Sequence, residues 1–290
     1  MVESLPLVTV VVSCFNHANY VEECILSILN QSWPNIELLV VDDGSSDDSV
    51  EVISKIQGRY GFDFRVQENK GLSRTLNETF ARSSGEYLVA FGSDDVMLPE
   101  RIKRQVEYMR GKPLVGICSG NILPIDSSGK QLRLSSRERR RHEFMSLNFE
   151  DVFLSKKPFP PAATMMIRRS AFYDVGGFDP EIPLEDLQIW LKVTHAGYTI
   201  DSIPEFFSKY RKHNDNTYKK LRFMAESALK TYGIFKDHPL YEQAVFRYKN
   251  SMIRSAARVD KEFARELVWS LPIRGWNRKT IKGLLVSLVP

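Results

Sequence analysis

Residues 87–95 read Tyr-Leu-Val-Ala-Phe-Gly-Ser-Asp-Asp, an apolar run that ends in two adjacent carboxylates, Asp94 and Asp95. The run has the length and composition of a buried β-strand. In an open α/β sheet, ligands collect beyond the carboxyl ends of the strands. Hard oxygen ligands there suit magnesium or manganese. The stretch therefore predicts a strand that carries acidic groups to a ligand site; the alternative is a turn or a helix cap.

A second acidic pair, Asp42 and Asp43, follows the apolar run 36–41 in the same manner. Two acidic strand ends in one array favour a phosphorylated ligand held through a metal. Around them, short apolar runs alternate with amphipathic segments, and this alternation predicts a mainly parallel sheet with helical crossovers. The expected strands are residues 7–12, 36–41, 62–66, 87–91, 114–118 and 162–167. Ser46 is expected to cap the second helix.

The composition is that of a globular protein, with 290 residues, 43% of them hydrophobic and 26% charged. No apolar run approaches the roughly 20 residues of a membrane span, and the N-terminus does not resemble a secretory signal. We therefore expect a cytoplasmic chain. The three cysteines lack metal or redox spacing and are expected to be buried as apolar residues.

The net charge of +4 is unevenly distributed. Residues 126–149 are polar and basic, with four arginines between 137 and 141, and they are the candidate for a lid. A basic C-terminal third can meet nucleic acid, an anionic membrane or a phosphorylated substrate. No recognised nucleic-acid reader motif is present, so we expect no nucleic-acid partner.

The motifs occur in an order that resembles the family 2 glycosyltransferases. They are residues 6–16 ending in Val-Val-Ser-Cys-Phe-Asn, 41–45, 85–87, 93–95 with Pro99, 176–179, 185–186 with Trp190, and 210–213. The resemblance spans residues 5–217. It implies a GT-A fold, in which an α/β, mainly parallel sheet is flanked by helices. It also implies a nucleotide-sugar-binding half at 1–120, an acceptor half at 121–215 and a helical C-terminal region at 216–290.

The resemblance also implies the residues of a nucleotide site. Phe15 would stack on the base and Asp43 would accept a hydrogen bond from it, unless Asp43 only caps a helix. Asn16 either touches the ligand or holds its own turn. The full implied set is Ser13, Phe15, Asn16, Asp43, Arg74, Ser93 and Asp94.

A divalent cation, Mn²⁺ or Mg²⁺, is implied at Asp95 and His213, with Asp94 near the ribose. Many relatives carry an acid two positions before Asp94, where this chain has Gly92. The departure leaves fewer carboxylates for the metal.

Asp186 is the implied catalytic base, since the acceptor hydroxyl must lose its proton as it attacks the anomeric carbon. Glu185, Gly177 and Trp190 are the implied acceptor or sugar contacts. The alternatives are that the two acids favour a helix N-terminus and that Trp190 belongs to the core. Relatives often have a further acid where this chain has Gln188.

Beyond the resemblance, Arg254, Arg258, Lys261 and Arg265 have helical spacing and are expected on one helix face. With the apolar residues near the C-terminus they suit a peripheral contact with an anionic membrane through residues 254–290. Ordinary helix packing or an oligomer contact is the alternative.

The resemblance implies a metal-dependent inverting glycosyltransferase that moves a sugar from a UDP-sugar to a glycan or lipid-linked glycan acceptor. The expected setting is the synthesis of a bacterial surface polysaccharide at the inner membrane face. A nucleotidyltransferase is disfavoured because no Gly-rich phosphate loop with a following lysine is present. A non-catalytic nucleotide-sugar-binding or assembly module, suggested by Gly92 and Gln188, stays open.

Overall fold

The computed structural model describes residues 5–134, 143–214, 216 and 219–288. The chain is divided into two compact units. Unit 1 contains residues up to 149 together with 159–214, and unit 2 contains 150–158 together with 215–290. The arginines of the 137–141 run, and the part of the expected lid around them, lie outside the described residues.

Within the described residues, unit 1 is built on a sheet of nine strands in which β3, β2, β1 and β4 are parallel neighbours. The order continues through β8, β6, β9 and β5, while β7 pairs with β9. The expected α/β class with a mainly parallel sheet is confirmed. The strands are β1 (Val8–Cys14), β2 (Ile36–Asp43), β3 (Asp63–Gln67), β4 (Tyr87–Gly92), β5 (Val96–Met97), β6 (Val115–Asp126), β7 (Met145–Leu147), β8 (Met166–Arg168) and β9 (Thr199–Lys212).

Helices cross between the strands and fill unit 2. Those that lie wholly or partly in unit 1 are α1 (Val21–Leu29), α2 (Ser49–Tyr60), α3 (Leu72–Ala81), α4 (Arg101–Met109), α5 (Phe149–Phe153), α6 (Arg169–Asp174) and α7 (Glu185–His195). Those of the C-terminal region are α8 (Leu221–Gly233), α9 (Tyr241–Ala256), α10 (Lys261–Trp269) and α11 (Arg278–Leu288).

Five expected strands match β1 to β4 and the start of β6 to within two residues. The sixth is shorter than expected, because residues 162–164 form a 3₁₀ turn before β8. The 14-residue strand β9 was not expected, since its sequence mixes charged and apolar residues without a regular alternation. It runs parallel to β6 with irregular register, and its end lies antiparallel to β5.

Two local expectations are wrong. Ser46 does not cap α2: the helix begins at Ser49 after Asp48, and the Ser46 hydroxyl lies 3.2 Å from the Asn16 side chain. The C-terminal cations do not share one helix face, because α9 ends at Ala256 and α10 begins at Lys261. The Asp260 carboxylate caps α10 by accepting from Phe263 N at 2.9 Å.

The core of unit 1 lies between the central strands and helices α1, α2 and α4. Val10 and Val12 of β1 pack there with Ile25 of α1 and Ile102 of α4. Cys14, Cys24 and Cys118 are free thiols and fully buried, as the sequence predicts. This packing fixes the carboxyl ends of β1 and β4, where the polar residues begin.

Unit 2 has its own apolar cluster, formed mainly by residues of α9 and α10 around Ile253 and Phe263. A groove of about 720 Å³ runs along this unit, lined by five cations, Lys219, Lys220, Arg222, Arg258 and Lys261, and by Asp260 and Glu262. Arg222 is paired with Glu266 at 2.6 Å. Among the helices that the structure describes, none is long and apolar enough to cross a membrane.

Candidate active site

The strand pairing of β5 with β9 brings the acidic end of β4 beside residues 210–213. Val96 pairs with Lys209 and Met97 with Ser208 in antiparallel register. As a result, Nε2 of His213 lies 2.9 Å from Oδ2 of Asp94, although 119 residues separate them. His213 is 8% exposed and Asp94 is half-buried. A carboxylate and an imidazole in this arrangement offer two ligand atoms to one cation.

A second histidine, His17, completes this group. One ligand atom each from His17, Asp94 and His213 lie within 4.8 Å of one another. His17 follows β1, whose last residues run parallel to β4 with Ser13 opposite Gly92. The carboxyl ends of these two neighbouring strands therefore meet at the group, which we call the His–Asp cluster.

Asp95 has a different environment from Asp94. It is 3% exposed, and its Oδ1 accepts a hydrogen bond from the backbone N–H of Arg211 at 2.9 Å. Burial, and next the charge of Asp94, raise the pKa of Asp95 well above its usual range, while the Arg211 bond opposes that shift. The structure thus places Asp94, rather than Asp95, among the clustered ligand atoms, and Asp95 joins β9 to the end of β4.

Arg211 is a buried cation that sequence reasoning missed. Its Nε donates to the backbone oxygen of Asp94 at 2.8 Å, and its terminal nitrogen reaches Glu23 of α1 at 2.6 Å. Its guanidinium lies over the ring of Tyr20, 4.9 Å from the centroid. Three elements are therefore tied together directly behind the His–Asp cluster.

The two acids at the end of β2, Asp42 and Asp43, also differ in their contacts. The carboxylate of Asp43 accepts four hydrogen bonds, from Gln67, Thr75, and the backbone N–H groups of Lys70 and Gly71, at 2.7 to 3.1 Å. It therefore anchors the start of α3. Asp42 is fully buried, and its Oδ1 accepts from Ser45 N at 2.9 Å. Its Oδ2 has no hydrogen-bond partner among the described residues.

The other expected nucleotide contacts lie at the same edge of the sheet. Ser13 is half-buried in β1, and Phe15, directly after β1, is 48% exposed. Asn16 has a φ of 57°, and its Oδ1 accepts from Ser46 N at 2.8 Å, so it does hold its turn. Ser93 is buried against His17. Arg74 on α3 is exposed and lies 3.7 Å from Glu181.

The loop before α7 is fastened to α3. Asn77 bonds both the N–H and the oxygen of Phe178, at 3.0 and 2.8 Å, and Ser73 donates to Ile182 O at 3.1 Å. Gly177 has a φ of 64°, and a Cβ there would lie 2.9 Å from Oδ1 of Asn77. Gly177 is thus required for this close approach. Through Asp43 and α3, the loop that leads to Asp186 is tied to the end of β2.

Asp186 and Glu185 open α7 as adjacent, half-buried acids. Burial raises the pKa of Asp186, although its Oδ1 accepts from Leu187 N at 2.6 Å. Burial, and then the charge of Asp186, raise the pKa of Glu185 to about 8. A carboxylate with a raised pKa is a stronger base near neutral pH, which is the property required of a proton acceptor.

The raised pKa of Glu185 makes stability depend on pH. The folded state holds the Glu185 proton up to about pH 8, whereas the unfolded chain releases it near 4.5. The stabilisation is therefore complete below pH 4.5 and is lost as pH rises through 8. Urea unfolding at several pH values measures this effect. We expect the free energy of unfolding to fall less between pH 4.5 and 8 in Glu185→Gln than in wild type. An equal fall in both proteins would contradict the assignment.

Gln188 and Trp190 serve the interior of unit 1. Gln188 is fully buried; its Oε1 accepts from Asp179 N at 2.5 Å, and its Nε2 donates to Ile182 O at 3.1 Å. Gln188 thus fastens the loop before α7 to the helix itself. Trp190 is 4% exposed and packs against Phe159, so its ring is not a surface platform for a sugar.

The sequence did not point to His17, and it gave Arg211, which lies in the 210–213 motif, no role. A signal for His17 was available, because residues that follow neighbouring parallel strands meet at one edge. No comparable signal existed for Arg211, whose partners depend on the unexpected strand β9.

Comparison with known proteins agrees with the geometry. The sequence model of the family "Glycosyl transferase family 2" matches residues 9–176, more than half of the chain. A glycosyltransferase of Haemophilus influenzae without an assigned role is 32% identical over 142 residues, 47% of this chain and 55% of the relative. The amylovoran biosynthesis glycosyltransferase AmsE of Erwinia amylovora is 23% identical over 218 residues, 73% of this chain and 79% of that protein. The chain therefore spans little more than half of the first of these relatives.

Solved structures share the fold. The mannosyltransferase PcManGT of Pyrobaculum calidifontis, in complex with GDP-Man and Mn²⁺, gives a TM-score of 0.62 at 17% identity, covering 98% of this chain and 86% of that one. Residues 1–349 of S. aureus TarS, in complex with UDP-GlcNAc, give a TM-score of 0.66 at 16% identity. The match covers 93% of this chain and 82% of that one. The expected GT-A fold is confirmed. By its ordered motifs, its sheet and the match over residues 9–176, the chain belongs to glycosyltransferase family 2.

Proposed function

We propose that the chain is a metal-dependent inverting glycosyltransferase that moves a sugar from a UDP-sugar to a hydroxyl group of a glycan or lipid-linked glycan acceptor. The reaction would serve synthesis of a bacterial surface polysaccharide, as the role of AmsE in amylovoran biosynthesis suggests. The observation that carries the proposal is the 2.9 Å approach of His213 to Asp94 at the carboxyl end of β4. It brings together, from distant parts of the chain, ligands for a cation beneath a diphosphate.

The residues present fit a divalent cation. Asp94 and His213 would hold it, and Asp95 would position both through Arg211. The cation would offset the charge that develops on the leaving diphosphate, an effect worth several kcal/mol in the transition state. We therefore assign the cation to Asp94 and His213, and Asp95 to a positioning role.

The base of the nucleotide would lie beyond β1 and β2, where Phe15 offers an exposed ring for stacking. Asp43 already accepts four hydrogen bonds, so it would act by holding the start of α3. Ser13, Asn16, Ser93 and Arg74 would complete the wall of this pocket.

Asp186 would act as the general base. Its carboxylate would take the proton of the acceptor hydroxyl while the oxygen forms a bond to the anomeric carbon and the bond to the diphosphate breaks. Glu185, with its pKa near 8, would hold a proton at neutral pH and donate a hydrogen bond to the acceptor. Gly177 would set the loop, and Trp190 would support α7 from the core.

The test is an assay of the purified chain with Mn²⁺, a panel of UDP-sugars and candidate acceptors. We expect release of UDP that increases with acceptor and stops on addition of EDTA. Saturable UDP-sugar binding without turnover would favour a binding or assembly module. Release of inorganic pyrophosphate from a sugar phosphate and UTP would favour a nucleotidyltransferase.

We further propose that unit 2 contacts an anionic membrane. Ile281, Leu285 and Leu288 lie on one face of α11 and are 52 to 61% exposed, and Trp269 and Ile273 are exposed as well. Cations such as Arg278 and Lys282 lie on the same helix. Apolar side chains interleaved with exposed cations suit an interface with anionic lipids.

Flotation with vesicles that contain phosphatidylglycerol checks the membrane proposal. We expect the triple variant Trp269→Ser, Ile273→Ser, Leu285→Ser to partition about 10-fold or more weaker, because three apolar side chains no longer enter the interface. Leu114→Ser, at a residue of unit 1 that is 68% exposed, is the matched control and should float like wild type. Unchanged flotation of the triple variant would reject the proposal.

A further inference from the structure

The structure assigns a role to His17, a residue that belongs to none of the sequence motifs described above. We propose that His17 is a third protein ligand of the cation, together with Asp94 and His213, and that it makes the site prefer Mn²⁺ over Mg²⁺. The inference rests on the proposed metal-dependent function and concerns which residues of this chain bind the metal. It gives the site two imidazoles and one carboxylate.

The first argument is distance. Nitrogen and oxygen atoms of His17, Asp94 and His213 lie within 4.8 Å of one another, a separation that one cation can span. The rings of His17 and His213 meet edge to face, with centroids 5.6 Å apart. Two imidazoles and a carboxylate converge here from three segments: the β1–α1 loop, the end of β4 and the residue after β9.

The second argument is that the His17 ring is held in place before any metal binds. Nδ1 lies 2.7 Å from the hydroxyl of Ser93, and the His17 backbone N–H donates to Ser49 at 3.0 Å. The flanking residues are fixed in the same way, since Ala18 N donates to Asp47 at 3.0 Å. Metal-binding histidines are commonly oriented by such partners, which raises affinity by limiting ring motion.

The third argument comes from Gly92, which lies two positions before Asp94. A Cβ at residue 92 would lie 2.8 Å from Oδ1 of Asp94. An acidic side chain there would have to displace the Asp94 carboxylate from its present place beside His213. The chain therefore lacks a carboxylate at 92 and has a histidine nitrogen from the neighbouring strand end in the same cluster.

Ligand chemistry then sets the metal preference. Carboxylate, carbonyl and water oxygens suit both ions, but Mg²⁺ is the smaller and harder of the two and tolerates a nitrogen ligand less well. An imidazole ligand from His17 should therefore weaken the binding of Mg²⁺ more than the binding of Mn²⁺. Three protein ligands also leave coordination positions open for diphosphate oxygens.

The experiment uses the full chain, UDP and Mn²⁺, with pulsed electron paramagnetic resonance of the bound ion. We expect nitrogen couplings from two imidazoles in wild type and from one in His17→Gln. His17→Gln should also bind Mn²⁺ on the order of 100-fold more weakly, at the upper end of the losses seen for outer-shell partners. His17→Asp should raise the affinity for Mg²⁺ relative to Mn²⁺ on the order of 10-fold. His195→Gln, at an exposed histidine of α7, is the control and should match wild type.

The outcomes separate this inference from the proposed function. Mn²⁺ binding with one imidazole coupling in both wild type and His17→Gln would overturn the role of His17 and leave the metal-dependent function intact. Weaker Mn²⁺ binding in His17→Gln with unchanged couplings would also overturn it, because His17 would then act on the diphosphate or the fold. Absence of Mn²⁺ binding by wild type with UDP would overturn both.

Discussion

Asp186→Asn should lower turnover about 10² to 10⁴-fold while donor binding is retained. The amide keeps the size of the carboxylate but cannot take the proton of the acceptor hydroxyl. It can still accept from Leu187 N, the bond that Asp186 Oδ1 makes at 2.6 Å, so the start of α7 should stay intact. Turnover with acceptor and UDP affinity by calorimetry measure the two effects separately.

The matched control for this prediction is Glu181→Gln. Glu181 lies in the same loop, and its side chain is 86% exposed, so loss of its charge should leave turnover within a few-fold of wild type. If Asp186→Asn turns over like wild type, another group takes the proton. If Asp186→Asn loses UDP binding as well, the residue supports the donor site and not the acceptor step.

Asp94→Asn should abolish the dependence of UDP binding on Mn²⁺. Removal of the one charged ligand leaves only neutral protein ligands around a divalent ion that oxygen ligands such as carboxylate suit best. We expect Mn²⁺ to improve UDP affinity at least 10-fold in wild type and less than 2-fold in the variant, in line with the loss of a directly bound group. Calorimetric titration of UDP with and without Mn²⁺ measures both values.

Asp95→Ala is the variant to compare with Asp94→Asn, because Asp95 supports the fold whereas Asp94 is the proposed metal ligand. It would leave the buried Arg211 N–H without its acceptor, at a cost of about 1 to 3 kcal/mol in the free energy of unfolding. Asp94→Asn should cost less stability than this. Were Asp95→Asn, which keeps an acceptor for Arg211 N, to lose Mn²⁺ dependence while Asp94→Asn retained it, the two assignments would have to be exchanged.

The difference between Asp94 and Asp95 shows where sequence reasoning stops. The apolar run 87–91 and the acids after it predict a strand that ends at a ligand site, and the strand is present as β4. Which of the two adjacent acids joins the His–Asp cluster depends on β9. The backbone N–H of Arg211, 116 residues away on that strand, donates a hydrogen bond to Asp95, which leaves Asp94 beside His213. A long strand without regular alternation gives no period for a pattern to detect.

The acceptor side shows the same limit. The two glycines at 176–177 and the acids at 185–186 indicate a tight turn followed by a helix start, and both occur. The pattern could not decide between a sugar contact and a core position for Trp190, because its burial depends on a residue far along the chain, Phe159. Strands β1 to β4 and the turn at 176–177 were thus predictable from local sequence, whereas β9 and the assignment of side chains to the site required the tertiary pairing.

The central claim is that one cation, held by Asp94 and His213, lies beneath the diphosphate of a bound nucleotide. A crystal structure of the full chain with UDP and Mn²⁺, using anomalous scattering to locate the metal, tests it most directly. We expect the Mn²⁺ peak within coordination distance of Asp94, His213 and both phosphates of UDP. A UDP molecule bound elsewhere, or a Mn²⁺ peak that touches neither Asp94 nor His213, would contradict the claim.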